Sequence, residues 1–143
     1  MKKIAFLMLV LTTSFLTSAI AQHEHPAYLH ALSDLRAARW MIEHKPGDWK
    51  ATEDEVAAVK RIDAAIAEIK KASIDDGKDI NDHPKAQEIN EHKGRLGKAV
   101  EYLRKARKDI EADEDNDFAK GLRKRAFEHI DEAIRLTEKA RQS

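Results

Sequence analysis

The chain has 143 residues, of which 26 are basic and 26 acidic, and it contains no cysteine. This length suits a single domain with its own hydrophobic core. The balanced charge argues against a nucleic-acid partner, because nucleic-acid binding needs a basic excess. The lack of cysteine excludes disulfides, covalent c-type haem, thiolate metal sites and thiol catalysis.

The first 21 residues have the pattern of a secretory signal peptide. Lys2 and Lys3 form a positively charged start, and a largely apolar run follows over residues 4–16. This run is shorter than the ~20 residues that a membrane-spanning helix needs, and the A-x-A sequence at 19–21 is a cleavage site. We therefore expect a mature chain that begins at Gln22, lies in the periplasm or outside the cell, and has no membrane segment after cleavage.

The next stretch predicts a helical hairpin. Pro26 suits the first position of a helix, and apolar side chains recur at helical spacing up to residue 44. Thr52 and Glu55 have the spacing of a capping box, in which a hydroxyl and a carboxylate bind free amides of the first turn. The sequence therefore predicts helices over 26–44 and 53–73. Their apolar stripes are Tyr28, Ala31, Leu32, Leu35, Ala38 and Ile42 in the first helix, and Val56, Val59, Ile62, Ile66, Ile69 and Ser73 in the second.

The same hairpin recurs 68 positions later in the chain. Residues 35–39 return at 103–107, and residues 62–66 return at 130–134. One offset fits both matches, so the connection inside each copy has the same length. An internal repeat is the strongest guide to architecture, and this one indicates that a helical hairpin has been duplicated.

Helices 3 and 4 are predicted over 93–112 and 118–141, with residues 74–92 as the linker between the hairpins. The alternating β-branched runs that favour strands are absent from the sequence. Four helices with short connections favour an all-α, up-down-up-down four-helix bundle over residues 22–143. The repeated arginines are expected to form flanking ion pairs with the repeated aspartates: Arg36, Arg39, Arg104 and Arg107 with Asp63 and Asp131.

The two copies differ on the outer face of helix 1. Beside the core stripe, Leu29, Trp40 and Met41 form a second apolar strip, whereas the equivalent positions of helix 3 hold glycine, lysine and aspartate. An apolar strip indicates a covered surface. Three covers fit the sequence: the chain's own linker or Trp49, a second copy of the chain or a partner helix, and a bound apolar ligand.

Histidines and aspartates gather at one end of the predicted bundle. In an up-down-up-down order the start of helix 1 and the linker share that end, which brings His23, His25 and His30 to His83. His30 and Asp34 also lie one helical turn apart on one face. Imidazole is the commonest protein ligand of transition metals, and carboxylates complete such shells. These five residues predict a site for copper, nickel or zinc; the alternative is that they are solvated polar side chains.

Signatures of catalysis are missing from the sequence. The serines lack a G-x-S-x-G context, no glycine-rich loop is present to hold phosphate, and the repeated inward-facing Glu-x-x-His motif of di-iron bundles is absent. We therefore expect a metal-binding protein rather than an enzyme. The competing hypothesis is a structural or interaction protein, self-association included, whose working surface is the strip of Leu29, Trp40 and Met41.

The segment His-Ile-Asp-Glu-Ala-Ile at 129–134 resembles the repeated His-hydrophobe-acid-acid-Ala-Ile pieces of the periplasmic small metal-binding protein family. Members of that family are secreted, cysteine-free four-helix bundles that bind copper and other divalent ions through many histidines. The resemblance implies metal binding and carries over His129 alone, because the matching position of the first copy is Arg61.

The chain is also similar in build to periplasmic haem bundles of the cytochrome b562 type, which hold haem between a methionine of the first helix and a histidine of the fourth. Met41 and His129 have these identities. Met41 lies near the end of helix 1, level with the start of helix 4, and His129 lies ~12 Å further along that helix. No haem is therefore expected.

Overall fold

A computed structural model describes residues 25–44, 49–72, 74–86, 88–112 and 121–143. The described residues form four α-helices: α1 (Pro26–Glu43), α2 (Glu53–Lys71), α3 (His92–Glu111) and α4 (Leu122–Gln142). The predicted signal peptide, His23 and the predicted first turn of helix 4 lie outside the described residues. None of these four helices combines the length and the apolar character needed to cross a membrane.

The starts of the helices follow from local chemistry. At α2 the Glu55 amide donates to Thr52 Oγ1 at 3.2 Å, and the Thr52 amide donates to the Glu55 carboxylate at 2.6 Å. This confirms the predicted capping box. At α4 the N-cap is Gly121, whose φ of 79° lies in the left-handed region that glycine adopts without strain.

The four helices pack as a bundle, so the predicted all-α four-helix fold is confirmed. α1 packs against α2 and α3, and α4 packs against the same two helices, which leaves α1 and α4 on one diagonal. Most positions of the predicted stripes are in the core, including Leu35, Ile62, Leu103 and Ile130, all fully buried. Val56 of the α2 stripe is an exception, because it is 44% exposed, and Ser73 lies outside the described residues.

The direction of α3 differs from the up-down-up-down order. Arg95, near the start of α3, bonds to Met41 near the end of α1, while Lys105, further along α3, bonds to Asp34. α3 therefore runs antiparallel to α1. Within the first hairpin Arg39 pairs with Asp63, and within the second Arg141 lies close to Gly97. α2 is therefore antiparallel to α1, and α4 is antiparallel to α3. The helices thus run up, down, down and up.

The two hairpins are related by an approximate two-fold axis across the bundle. In α2 and α4, Asp54 pairs with Lys139 and Glu68 with Arg125. This antiparallel register places Ile62 and Ile130, one repeat apart, at about the same height. Equivalent helices therefore face each other, α1 with α3 and α2 with α4, as in a symmetric dimer of hairpins fused into one chain.

The repeat is visible in its ion pairs. Arg39 Nε lies 2.8 Å from Asp63 Oδ1, and Arg107 Nε lies 2.7 Å from Asp131 Oδ1. These two predicted pairs are confirmed and are equivalent under the 68-residue offset. The other two arginines do not follow the prediction, because Arg104 pairs with Glu138 and Arg36 pairs with an aspartate outside the repeat.

The connection between α2 and α3, residues 72–91, makes the up, down, down, up order possible. It starts at one end of the bundle, runs along α1 and reaches the other end, where α3 begins. Asp76 pairs with Arg36, and further along the connection the His83 ring lies 4.8 Å from the Trp40 ring. Ile74 is buried in the core beside it. The connection covers part of α1, whereas Arg104, at the position of α3 equivalent to Arg36, is 64% exposed.

The ion pair between Arg36 and Asp76 fastens the connection to α1. Arg36 has 1% of its side chain exposed, whereas its equivalent Arg104 has 64%. Partial burial raises the pKa of Asp76, but hydrogen bonds from Arg36 and from the amide of Lys78 outweigh it, so the pKa lies below its ordinary value. Asp76 therefore stays charged in the folded protein at neutral pH.

Replacing Asp76 with asparagine is expected to lower the free energy of unfolding by about 2–3 kcal/mol at pH 7, because Arg36 becomes a buried charge without a counter-charge. Asparagine keeps an acceptor for the Lys78 amide. The pKa of Asp76 is lower in the folded state than its unfolded value of about 3.9, so its contribution is lost as the pH falls below about 4. Urea unfolding at pH 7 and pH 3 measures the difference between the two proteins.

The matched control is Asp131→Asn, which breaks a half-exposed pair with Arg107. We expect this change to cost about 0–1 kcal/mol. Equal losses in the two variants, or a loss for Asp76→Asn that persists unchanged at pH 3, would contradict the assigned role of Asp76.

Candidate functional site

The predicted cluster of metal ligands is not assembled by the described residues. His25 lies edge-on to Tyr28, with 6.0 Å between ring centroids, and His30 is exposed on α1. His83 lies beside Trp40, which is ten residues beyond His30 and so ~15 Å further along the helix. The expected shared end depended on the up-down-up-down order. In the observed order the connection runs along α1 away from that end, so His83 lies beside Trp40 and not beside His25 and His30.

Asp34, the carboxylate of the predicted metal set, has another partner. Lys105 Nζ lies 2.6 Å from Asp34 Oδ2, and the Asp34 side chain is 8% exposed. Burial raises the pKa of the Asp34 carboxyl, and the hydrogen bond from Lys105 offsets this in part. Among the described residues, no group of three or more histidine, aspartate or glutamate side chains is placed to hold a metal ion.

The apolar strip on α1 is covered by the chain itself. Met41 is fully buried, and Leu29 and Trp40 are partly buried against the core. Ile80 of the connection packs against the same core cluster. Trp49, the other cover within the chain, stacks instead on His92, with ring centroids 4.4 Å apart. Among the described residues, the connection supplies part of this cover through the contact of His83 with Trp40.

His129, the residue carried by the family resemblance, lies partly buried on α4. The residues that follow it in the segment have structural roles: Ile130 and Ala133 are in the core, and Asp131 pairs with Arg107. The segment pattern is therefore explained by packing and ion pairing in this fold.

A groove of about 410 Å³ lies between α1 and α2. Its origin is a difference between the copies: in the second hairpin Phe127 lies under the Arg107 guanidinium at 4.4 Å, and the first hairpin has the smaller Val59 at that position. Among the charged residues that line it, Arg39 pairs with both Asp63 and Glu43. The groove thus combines apolar side chains with charged ones, and its one arginine already has carboxylate partners.

A second cavity, of about 220 Å³, lies where the end of α1, the connection and the start of α3 meet. Its mouth is formed by three exposed polar residues, its walls by two partly buried apolar ones and its floor by a buried arginine. The mouth residues are His44, Glu88 and Asn90, the wall residues are Trp40 and Ile89, and the floor residue is Arg95.

Arg95 is the unusual group of this cavity. It is 2% exposed, and its Nη2 donates to the carbonyl oxygen of Met41 at 2.7 Å. Its Nε and Nη1 are buried and have no hydrogen-bond partner among the described residues. Burial lowers the pKa of Arg95, while the negative charge of Glu55 acts in the opposite direction. Since unmatched buried donors are costly, this guanidinium is suited to an acceptor from outside the chain.

The walls of the cavity are fixed in place. The Trp40 ring stacks on His44 at 4.4 Å with 12° between the planes, and His83 contacts it as well. Ile89 packs close to Gly94 of α3, where an added Cβ would stand 3.1 Å from Ile89 Cγ2. Gly94 therefore makes room for the wall.

Sequence reasoning missed this site, although the repeat contains a signal for it. The 68-residue offset aligns Trp40 with lysine, His44 with alanine and Arg95 with alanine. Each helical residue of the cavity thus stands where the copies differ, and the remaining three come from the unrepeated connection. Comparing the start of helix 3 with the start of helix 1 would have singled out Arg95.

Comparison with protein-family models, with curated proteins and with solved structures finds no match to this chain.

Replacing Arg95 with methionine is expected to leave the free energy of unfolding within about 1 kcal/mol of the parent or to raise it, because the change removes a buried charge with unmatched donors and loses one hydrogen bond. Urea unfolding monitored by circular dichroism gives the comparison.

Arg36→Met is the matched control, since it makes the same exchange at an equally buried arginine that has a carboxylate partner. We expect it to cost about 2 kcal/mol or more. A loss of that size for Arg95→Met would mean that Arg95 is fully compensated within the chain, contrary to the geometry described.

Proposed function

We propose that this protein binds a small anionic molecule in the Arg95 cavity and acts by binding rather than by catalysis. The observation that carries the proposal is a guanidinium at the floor of a cavity, 2% exposed, with two nitrogens that have no partner among the described residues. Buried charges in proteins are paired or bind ions. The predicted signal peptide would place this binding in the periplasm or outside the cell.

The electrostatics of the cavity support an anion at its floor. Arg95 lies in the first turn of α3, which begins at His92, and the amino end of a helix favours negative charge. Two further hydrogen-bonding groups, the His44 ring and the Asn90 amide, are available near the mouth. A guanidinium binds carboxylate and phosphate oxygens with the geometry of its planar fork.

The site is also formed before any ligand arrives. The stacking of Trp40 on His44 and the close packing of Ile89 on Gly94 fix the two walls. Binding to a preformed site avoids the free-energy cost of ordering its side chains. A cavity of about 220 Å³ equals the volume of roughly seven liquid water molecules, which is enough for a small organic anion.

Titration with sodium formate, acetate and phosphate at constant ionic strength tests the proposal. The chain has two tryptophans, so Trp49→Phe leaves Trp40 as a reporter beside the cavity. We expect a saturable change in Trp40 fluorescence, together with a shift of the Arg95 Nε–H resonance, for at least one of these anions. A dissociation constant of about 1 mM or tighter corresponds to about 4 kcal/mol.

Arg95→Met in the same background is expected to abolish the response, whereas Arg104→Met, which alters an exposed arginine far from the cavity, is expected to preserve it. No saturable response to any of the three anions, or equal responses in the parent and Arg95→Met, would overturn the proposal.

A divalent transition metal is the second candidate, favoured by one contact. The rings of His44 and His83 both lie against Trp40, at 4.4 and 4.8 Å between centroids. His44 comes from the end of α1 and His83 from the connection, so two imidazoles from separate segments contact one indole ring. The resemblance of residues 129–134 to the periplasmic metal-binding family stays a prediction and points to the same class of ion.

Titration with Cu²⁺, Ni²⁺ and Zn²⁺ in the Trp49→Phe background tests the metal candidate. If His44 and His83 are the ligands, Cu²⁺ quenches Trp40 fluorescence, and His44→Ala with His83→Ala removes the quenching. His25→Ala with His30→Ala is the matched pair from the originally predicted cluster. Quenching lost only in that second pair would return the site to the start of α1, and no saturable binding of any ion would end the metal proposal.

A further inference from the structure

The cavity contains a second unmatched charge, and it is negative. Glu88 lies at the mouth and is exposed, and within the described parts of the chain it forms no ion pair. Glu88 and Arg95 line the same cavity without pairing with each other, since an ion pair would need their charged atoms within 4.0 Å. The cavity is therefore lined by a buried cation and an exposed anion that do not pair with each other.

We infer that the ligand is a small zwitterion of the amino-acid class, whose carboxylate meets Arg95 and whose ammonium meets Glu88. This inference rests on the proposed anion-binding function and names the chemical class of its ligand. One molecule with both charges bridges two groups that the fold holds apart.

Charge balance supports a zwitterion over a simple anion. Glu55 already acts electrostatically on Arg95, and Glu88 adds a second negative charge at the cavity. A dianion such as hydrogen phosphate would meet one guanidinium and two carboxylates. A zwitterion adds no net charge, so its carboxylate can reach Arg95 while its ammonium offsets the charge of Glu88.

The remaining lining suits the other parts of such a molecule. Trp40 and Ile89 supply apolar walls for a short side chain. The Asn90 amide and the His44 ring at the mouth offer hydrogen bonds to whichever carboxylate or ammonium atoms the two charges leave free. The cavity volume of about 220 Å³ is enough for a small amino acid.

The decisive experiment compares matched ligands that differ by one charged group. Isothermal titration calorimetry of the full chain with the common L-amino acids, each alone, identifies the tightest. That amino acid is then compared with its decarboxylated amine and its deaminated acid; for L-valine these are isobutylamine and 3-methylbutanoate. We expect loss of the carboxylate to weaken binding about 10- to 100-fold, because it leaves the buried Arg95 unpaired, and loss of the ammonium to weaken it about 2- to 5-fold, because Glu88 is exposed to water.

Variants of the protein provide the other half of the comparison. Glu88→Gln is expected to weaken binding of the amino acid and leave that of the deaminated acid unchanged, while Arg95→Met weakens both. Glu91→Gln, an exposed carboxylate on the same segment outside the cavity lining, is the matched control and should change neither.

The possible results distinguish a failure of the zwitterion inference from a failure of the proposed anion-binding function. Deaminated acids that bind as tightly as the amino acids, with no effect of Glu88→Gln, would overturn the zwitterion and leave the anion site standing. If neither amino acids nor acids bind, both the inference and the proposed function fail. Binding of amino acids that Arg95→Met leaves unchanged would also overturn the inference, because the ligand would then lie elsewhere.

Discussion

The ion pair between Arg36 and Asp76 is the interaction on which the rest of the arrangement depends. It fixes the middle of the α2–α3 connection to the outer face of α1, where the partner arginine is almost fully buried. With the connection held there, the chain travels from one end of the bundle to the other before α3 begins. α3 must then run in the same direction as α2, and the two hairpins face each other across an approximate two-fold axis.

The connection is also what makes the two halves of the molecule different. The helices repeat, and the Arg39–Asp63 pair recurs as Arg107–Asp131 with nearly equal distances. The connection has no counterpart among the described residues. It contacts Trp40 through His83, pairs with Arg36 through Asp76 and supplies three residues of the cavity lining. The cavity therefore lies where the connection makes the two halves differ.

The sequence predicted the elements of this fold better than their order. The spacing of Leu35 and Ile62 in one copy and of Leu103 and Ile130 in the other is a local property, and all four are in the core. Local sequence does not determine the direction of α3. The same apolar stripes can be buried against a parallel or an antiparallel helix, and a linker of this length permits both. The prediction of a histidine cluster needed that direction, so the four-helix bundle was confirmed while His83 moved away from His25 and His30.

The two buried arginines, Arg36 and Arg95, differ in the hydrogen-bond acceptors that the chain supplies to them. Both are almost fully buried, and burying a guanidinium has a large free-energy cost unless an acceptor compensates it. At Arg36 the chain supplies the acceptor, because Asp76 comes to it with the connection. At Arg95 the chain supplies one carbonyl oxygen and the electrostatic effect of Glu55, and two nitrogens remain without a partner in the part of the chain that is described. At Arg36 only Nε remains without one among the described residues. The connection that brings Asp76 to the first arginine also lines the cavity beside the second. A residue of this kind gains stability when a ligand carries the missing acceptor into the cavity, which links ligand binding to the stability of the fold.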